Sequence, residues 1–122
     1  MAVKQRILIV EDDPGIQDVL ALVLNDEGYE VLAVGDGQAA FAVLPQYQPA
    51  LLVVDLRMPG MSGPEFVQRY QQQAAPHAPI VVLSASHDGA TTAADLGAAA
   101  FVAKPMDLDD LLAVVAQYVA PE

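Results

Sequence analysis

Five short apolar runs alternating with five segments of helical character predict an α/β domain built on a doubly wound parallel sheet of five strands, (βα)5 in outline. Three observations carry that expectation. The runs are mostly continuous in apolar residues without alternation, as strands covered on both faces are. The stretches between them repeat apolar residues at helical spacing. Glycine and proline gather at the junctions: Gly28, Gly35 to Gly37, Pro45 to Pro49, Pro76 to Pro79 and Gly97.

Taken in order, the first strand is expected over Ile7 to Val10, closing on the acidic run Glu11, Asp12 and Asp13. Ile16, Val19, Leu20, Val23 and Leu24 then follow helical spacing, and Asp13 ahead of Pro14 suits a helix cap. Val31 to Val34 is the second strand and Phe41 to Leu44 marks the second helix. Leu51 to Val54 is the third strand, with Asp55 at its exit. Gly63 and Pro64 open a third helix marked by Phe66 to Tyr70. Ile80 to Leu83 is the fourth strand, followed by Ser84 and Ser86, and Gly89 to Leu96 carries the faintest helical pattern. Ala100 to Ala103 leads to Lys104, and Leu108, Leu111, Leu112, Val115 and Val119 form a last helix capped by Asp107.

The chain has 122 residues, suited to one domain over residues 1–122 with a core at about 6–119. With 54% hydrophobic residues it can build a real core. No repeat, low-complexity tract or interdomain linker interrupts it. Sixteen acids against five bases give a formal charge of −11, which opposes binding to nucleic acid backbones. No cysteine is present, which excludes disulfides, thiolate metal sites and thiol catalysis. The opening MAVKQRILIV is neither a secretion signal nor a membrane span, so a cytoplasmic location is expected.

Doubly wound sheets bind ligands outside the carboxyl ends of their strands, where strand order reverses. In the order 2-1-3-4-5, strands one and three are neighbours about 5 Å apart, which brings Glu11, Asp12 and Asp55 together. Carboxylates so close repel each other; either some stay protonated or a cation sits among them. Magnesium suits hard oxygen ligands, with manganese as a substitute ion. Lys104 and Ser84 flank the same spot. A cation, an ammonium and a hydroxyl around one carboxylate make a phosphoryl-transfer site with Asp55 as the nucleophile.

With those residues in place, the chain resembles a response-regulator receiver domain of two-component signalling. The resemblance rests on the acidic pair in ILIVEDD, the loop VVDLRMPGMSG, the hydroxyl in VVLSAS and the lysine and proline in FVAKP, spread over roughly residues 6 to 119. It implies a flavodoxin-like fold and a phosphoacceptor that is not a turnover enzyme. It implies that Asp55 accepts a phosphoryl group from a sensor histidine kinase or a histidine phosphotransfer protein. Glu11 and Asp12 would hold magnesium, Asp12 more directly, with Asp55 and the backbone carbonyl of Arg57. Ser84 and Lys104 would bind the phosphoryl oxygens, and the bond from Lys104 to Pro105 would be cis. Pro59 and Gly60 would shape the loop after Asp55.

Phe101, three residues before Lys104, falls where similar domains carry a switch aromatic, turning inward as Ser84 moves toward the phosphoryl group. Tyrosine is frequent there, and phenylalanine has no hydroxyl to donate. The surface of helix four, strand five and helix five would then change shape for a downstream effector protein or output domain, with a homodimer as a further partner. Arg57 and Ser86 occupy positions that tune loss of the phosphoryl group; neither is a base for water at neutral pH, so slow self-dephosphorylation is expected. His87 borders the site in an exposed loop, and His77 has no evident role.

Three rival readings rank below it on particular residues, with the degenerate receiver and the phosphohydrolase as the alternatives. A haloacid-dehalogenase-type phosphohydrolase needs a second aspartate two residues after Asp55, where this chain has Arg57. A flavin binder needs a hydroxyl-rich phosphate loop after strand one, where this chain reads EDDPG. A degenerate receiver serving only as an interaction module would lack some of these side chains, and all are present.

Overall fold

The computed structural model describes residues 4–73 and 76–120. Its elements run β1 (Arg6–Val10), α1 (Pro14–Asp26), β2 (Glu30–Val34), α2 (Gly37–Tyr47), β3 (Leu51–Asp55), α3 (Gly63–Gln72), β4 (Ile80–Ser84), α4 (Gly89–Leu96), β5 (Ala100–Ala103) and α5 (Leu108–Tyr118). The strands lie in the order β2-β1-β3-β4-β5 with every pair parallel. This is the doubly wound α/β architecture that the alternation of strand and helix predicts.

Apolar runs without alternation become strands covered on both sides. All five residues of β3 and all five of β4 are buried, whereas β2 at one edge is half-exposed. Successive side chains on each strand point to opposite faces. Ile7, Ile9, Leu51, Val53, Val81, Leu83 and Val102 therefore meet Leu20 and Leu24 of α1 and Leu111 and Val115 of α5. The alternate residues, among them Leu8, Val10, Leu52, Val54 and Val82, meet the other layer, α2, α3 and α4, through Leu44, Phe66 and Ala93. Each such aliphatic side chain withdrawn from water contributes roughly 1.5–3 kcal/mol before the entropy cost of ordering. Tyr29, buried just before β2, donates its hydroxyl to the Val119 carbonyl at 2.6 Å and so ties the start of β2 to the end of α5.

Helix ends follow the expected caps. Asp13 accepts from the amides of Gly15 and Ile16, and Asp107 from those of Asp109 and Asp110. The faintly patterned segment Gly89–Leu96 is helical, closed by Gly97 at φ 73°.

The turn expected from Pro45 begins later. α2 runs through Pro45 to Tyr47, and Gln48 at φ 50° ends it. A proline here gives up one hydrogen bond, in the last turn and on an exposed position. Tyr47 offsets that loss: Arg6 Nη1 donates to its carbonyl at 2.9 Å, and its hydroxyl donates to the Glu30 carbonyl at 3.0 Å. Tertiary contacts at the foot of β1 and β2 thus outweigh the local proline signal. Among the described residues no helix is long and apolar enough to cross a membrane.

Candidate functional site

Strand register decides which polar residues meet. Val10 pairs with Val54, so Glu11 follows beside Asp55 at the carboxyl edge of the sheet. Asp55 continues the face of Leu51 and Val53, Glu11 that of Ile7 and Ile9, and Lys104 that of Val102, so all three emerge toward α1 and α5. Ser84 continues the opposite face, with Ile80 and Val82.

These residues line one cleft of about 350 Å3, walled by Glu11, Asp12, Asp55, Arg57, Ser84 and Lys104, with Asp13 and Ser86 at its margin. Lys104 Nζ lies 2.6 Å from Glu11 Oε1 and 3.1 Å from Asp55 Oδ2. Asp55 is only 4% exposed, and its Oδ1 accepts the Arg57 amide at 3.2 Å. Glu11 is wholly buried; its Oε2 accepts the Asp13 amide at 3.3 Å. Asp12, by contrast, is exposed.

Burial pushes the Glu11 carboxyl up to about 7, partly offset by the Lys104 ammonium and reinforced by the nearby Asp55 carboxylate. Burial by itself would lower the Lys104 ammonium, but its bonds to Glu11 and Asp55 outweigh that and raise it. One ammonium therefore faces two buried acids, with a third acid at the mouth. Oxygens of Glu11, Asp12 and Asp55 all lie within 4.8 Å of one another, a hard-oxygen donor set that fits a divalent cation. Glu11 spends its oxygens on Lys104 and the Asp13 amide, and Asp55 spends its own on Lys104 and the Arg57 amide, so the exposed Asp12 carries the freest donors of the three.

Ser84 Oγ accepts the Ser86 amide at 3.0 Å, while the Ser86 hydroxyl is turned to Asp88. Phe101 shares the Ser84 face of the sheet and packs with the α2, α3 and α4 layer. The link between the two is Gly89: a Cβ there would stand 2.7 Å from Phe101 Cε1 and 2.8 Å from Ser84 Cβ. The Lys104–Pro105 peptide is cis. His87 is exposed beside Asp88, and His77 lies at the other end of the sheet, its ring 5.3 Å from that of Tyr70.

Three residues shape the site by contacts that spacing along the chain does not reveal, although Gly63 itself lies in the loop VVDLRMPGMSG. Gln17 of α1 donates its amide to the Glu11 carbonyl, holding the acidic loop against the helix. Gly63 lets α3 start directly against the end of β3, since a Cβ would lie 2.4 Å from the Asp55 carbonyl oxygen. Gly89 reads in sequence as a helix start and nothing more.

A model of the response regulator receiver domain matches residues 7–116. The chain belongs to that family. Receivers are the signalling domains of two-component systems, and magnesium is the ion typical of them, in keeping with the acidic cluster here. Among curated relatives, the DNA-binding response regulator MtrA of Mycolicibacterium smegmatis is 35% identical over 114 residues, covering 92% of this chain and 49% of that protein. The transcriptional regulatory protein PdtaR of Mycobacterium tuberculosis is 37% identical over 117 residues, covering 93% of this chain and 56% of its own length. This receiver thus spans about half the length of the curated relatives it matches. Among solved structures, a response regulator from Chloroflexus aurantiacus superimposes with a TM-score of 0.89 at 28% identity, over 95% of this chain and 98% of that one. The chemotaxis response regulator CheY4 of Vibrio cholerae gives 0.87 at 27% identity, over 96% and 100%.

Proposed function

We propose that this receiver is switched by phosphorylation of Asp55, which takes a phosphoryl group from a phosphohistidine on a sensor kinase or phosphotransfer protein. The observation that carries the reading is the placement of Asp55: nearly buried at the floor of the cleft, 3.1 Å from Lys104 Nζ and grouped with the Glu11 and Asp12 carboxylates. A carboxylate oxygen attacks phosphorus, the P–N bond breaks, and its electron pair leaves with the imidazole. Asp12, Asp55 and the Arg57 carbonyl, with Glu11 behind them, would hold magnesium, which when bound neutralises charge on the incoming phosphoryl oxygens.

The remaining steps belong to the chain's own side chains. Lys104 turns from Glu11 to a phosphoryl oxygen, a short move because it already bridges both acids. The Ser84 hydroxyl donates to a second oxygen, and the space it leaves beside Gly89 admits the Phe101 ring. That ring belongs to the face formed by α4, β5 and α5, so its turn reshapes a surface for a cytoplasmic effector or an output domain. Arg57 and Ser86 at the mouth offer no base for water, which makes hydrolysis of the acyl phosphate slow. Residues 1–122 act as one receiver domain on this reading.

Incubation with acetyl phosphate and magnesium, read by intact-protein mass spectrometry, tests the proposal. A single phosphoryl adduct that needs magnesium and vanishes in Asp55→Asn is expected. No adduct, or one that persists in that variant, overturns it.

A further inference from the structure

We propose that the groove between β5 and α5 takes a basic, amphipathic segment of a partner protein and not a second copy of this chain. The inference deepens the receiver reading, since it names the chemical class of partner that the switching face accepts. The groove holds about 460 Å3 and is floored by Phe101, Pro105, Ala113 and Val114, with Asp107 and Asp110 on its rim. Its apolar floor asks for apolar side chains, and its rim asks for cations.

Charge decides between the two occupants. The chain has five basic residues, Lys4, Arg6, Arg57, Arg69 and Lys104, and none is in α4 or α5. Arg6 is paired with Glu30 at the foot of the sheet, Arg69 with Glu65 on α3, and Lys104 is held inside the phosphoacceptor cleft by Glu11 and Asp55. Across the α4, β5 and α5 face the exposed charges are Asp95, Asp107, Asp109 and Asp110. Among the described residues none of these four enters an ion pair.

A two-fold dimer through this face would set the same patch against itself, acid against acid with no cation to intervene. Like charges facing each other across an interface select against that pairing. A segment carrying lysine or arginine at helical spacing, with apolar residues on its other side, meets both the rim and the floor. The groove is formed with Asp55 unmodified, so phosphorylation adjusts an existing surface.

A fluorescein-labelled Lys/Leu amphipathic helical peptide, titrated into the whole chain and followed by fluorescence anisotropy, tests the inference. Its Glu/Leu counterpart serves as the opposite-charge probe. Binding of the Lys/Leu peptide alone is expected, weakened about tenfold or more by Asp109→Lys with Asp110→Lys, and likewise by Ala113→Glu, which obstructs the floor without touching Asp107. The pair Asp26→Lys with Glu27→Lys, on the far end of α1, should leave binding within about twofold. Equal weakening by that remote pair means attraction to the general negative charge and overturns the groove. So does binding unchanged by either groove variant, or a beryllofluoride-treated protein that sediments as a dimer which Ala113→Glu dissolves. The same titration on Asp55→Asn separates the two proposals, because the groove survives there whatever happens to phosphoryl transfer.

Discussion

Glu11 gives the sharpest quantitative test of the cleft. Its carboxyl is wholly buried against Lys104 and Asp55, and its pKa rises from an ordinary 4.5 to about 7. A carboxyl raised in the folded state holds its proton more tightly there than in the unfolded chain. Its contribution to stability is therefore complete below about pH 4.5, and it drains away as pH climbs through about 7. At about 1.4 kcal/mol for each pH unit, the gap between those values amounts to something on the order of 3 kcal/mol. Small domains have roughly 5–15 kcal/mol in all, so the loss is large enough to measure.

Glu11→Gln keeps the shape and an acceptor for Lys104 but cannot ionise. Urea unfolding of both proteins in a chelating buffer, at steps from about pH 4.5 to about pH 8, isolates the cleft because every titration outside it is common to the two. The native chain should lose on the order of 3 kcal/mol relative to the variant over that range. Saturating magnesium should then restore the native chain at alkaline pH far more than the variant, since a bound cation favours the charged carboxylate. Parallel stability curves in chelator would refute the claim that this acid sits buried and under strain among like charges. Equal rescue by magnesium would refute its place in the cation site.

Other substitutions probe the same frame from different sides. Lys104→Ala strands the buried Glu11 and should cost about 3 kcal/mol or more by urea unfolding at alkaline pH and less in acid, while slowing adduct formation on Asp55. Gly63→Ala drives a methyl group to within 2.4 Å of the Asp55 carbonyl oxygen and 2.5 Å of Leu56 Cα, both backbone, so thermal melting should report a loss of roughly 1–3 kcal/mol. Gly89→Ala presses on the Phe101 ring, which can turn, and at 2.8 Å on Ser84 Cβ, which is fixed to a buried strand, so stability should fall by roughly 1–3 kcal/mol while a fluorine label on Phe101 reports a displaced ring. Unchanged fluorine spectra would deny the contact between α4 and Phe101.

Much of the fold was legible because covered parallel strands leave an unmistakable mark: runs such as LLVV and IVVL, bounded by polar or glycine-rich exits. The same continuity hid the side each residue faces. With no alternation in β1, β3 or β5, nothing local says that Glu11, Asp55 and Lys104 emerge together while Ser84 emerges on the other face; that needs the register of Val10 with Val54 and of Ser84 with Ala103. Local signals also misled at Pro45, whose helix persists because Tyr47 is held from a distance by Arg6 and Glu30. Gln17 and Gly89 were silent, and Gly63 spoke only as part of a loop and a helix start, since their roles are contacts across the fold, invisible to spacing along the chain.

On the proposed reading, the division of faces governs how a phosphoryl group on Asp55 is felt. The acids and Lys104 lie on the α1 and α5 side of the sheet, so a phosphoryl group on Asp55 would be met there by a wholly buried Glu11 and by a Lys104 with only a short move to make. Ser84, the one proposed phosphoryl partner on the other side, stands where its Cβ and the Phe101 ring both crowd the place a Cβ on Gly89 would take. On the proposed reading, a message from Asp55 to the β5 and α5 groove passes through Ser84, because Lys104, though adjacent in sequence to β5, makes its short move between carboxylates on the opposite face. Ser84→Ala should accordingly leave phosphorylation of Asp55 largely intact while cutting the change in Lys/Leu peptide affinity that phosphorylation produces. If anisotropy titrations show the same phosphorylation-dependent change in Ser84→Ala as in the native chain, coupling runs along β5 from Lys104 and the route through Gly89 is wrong.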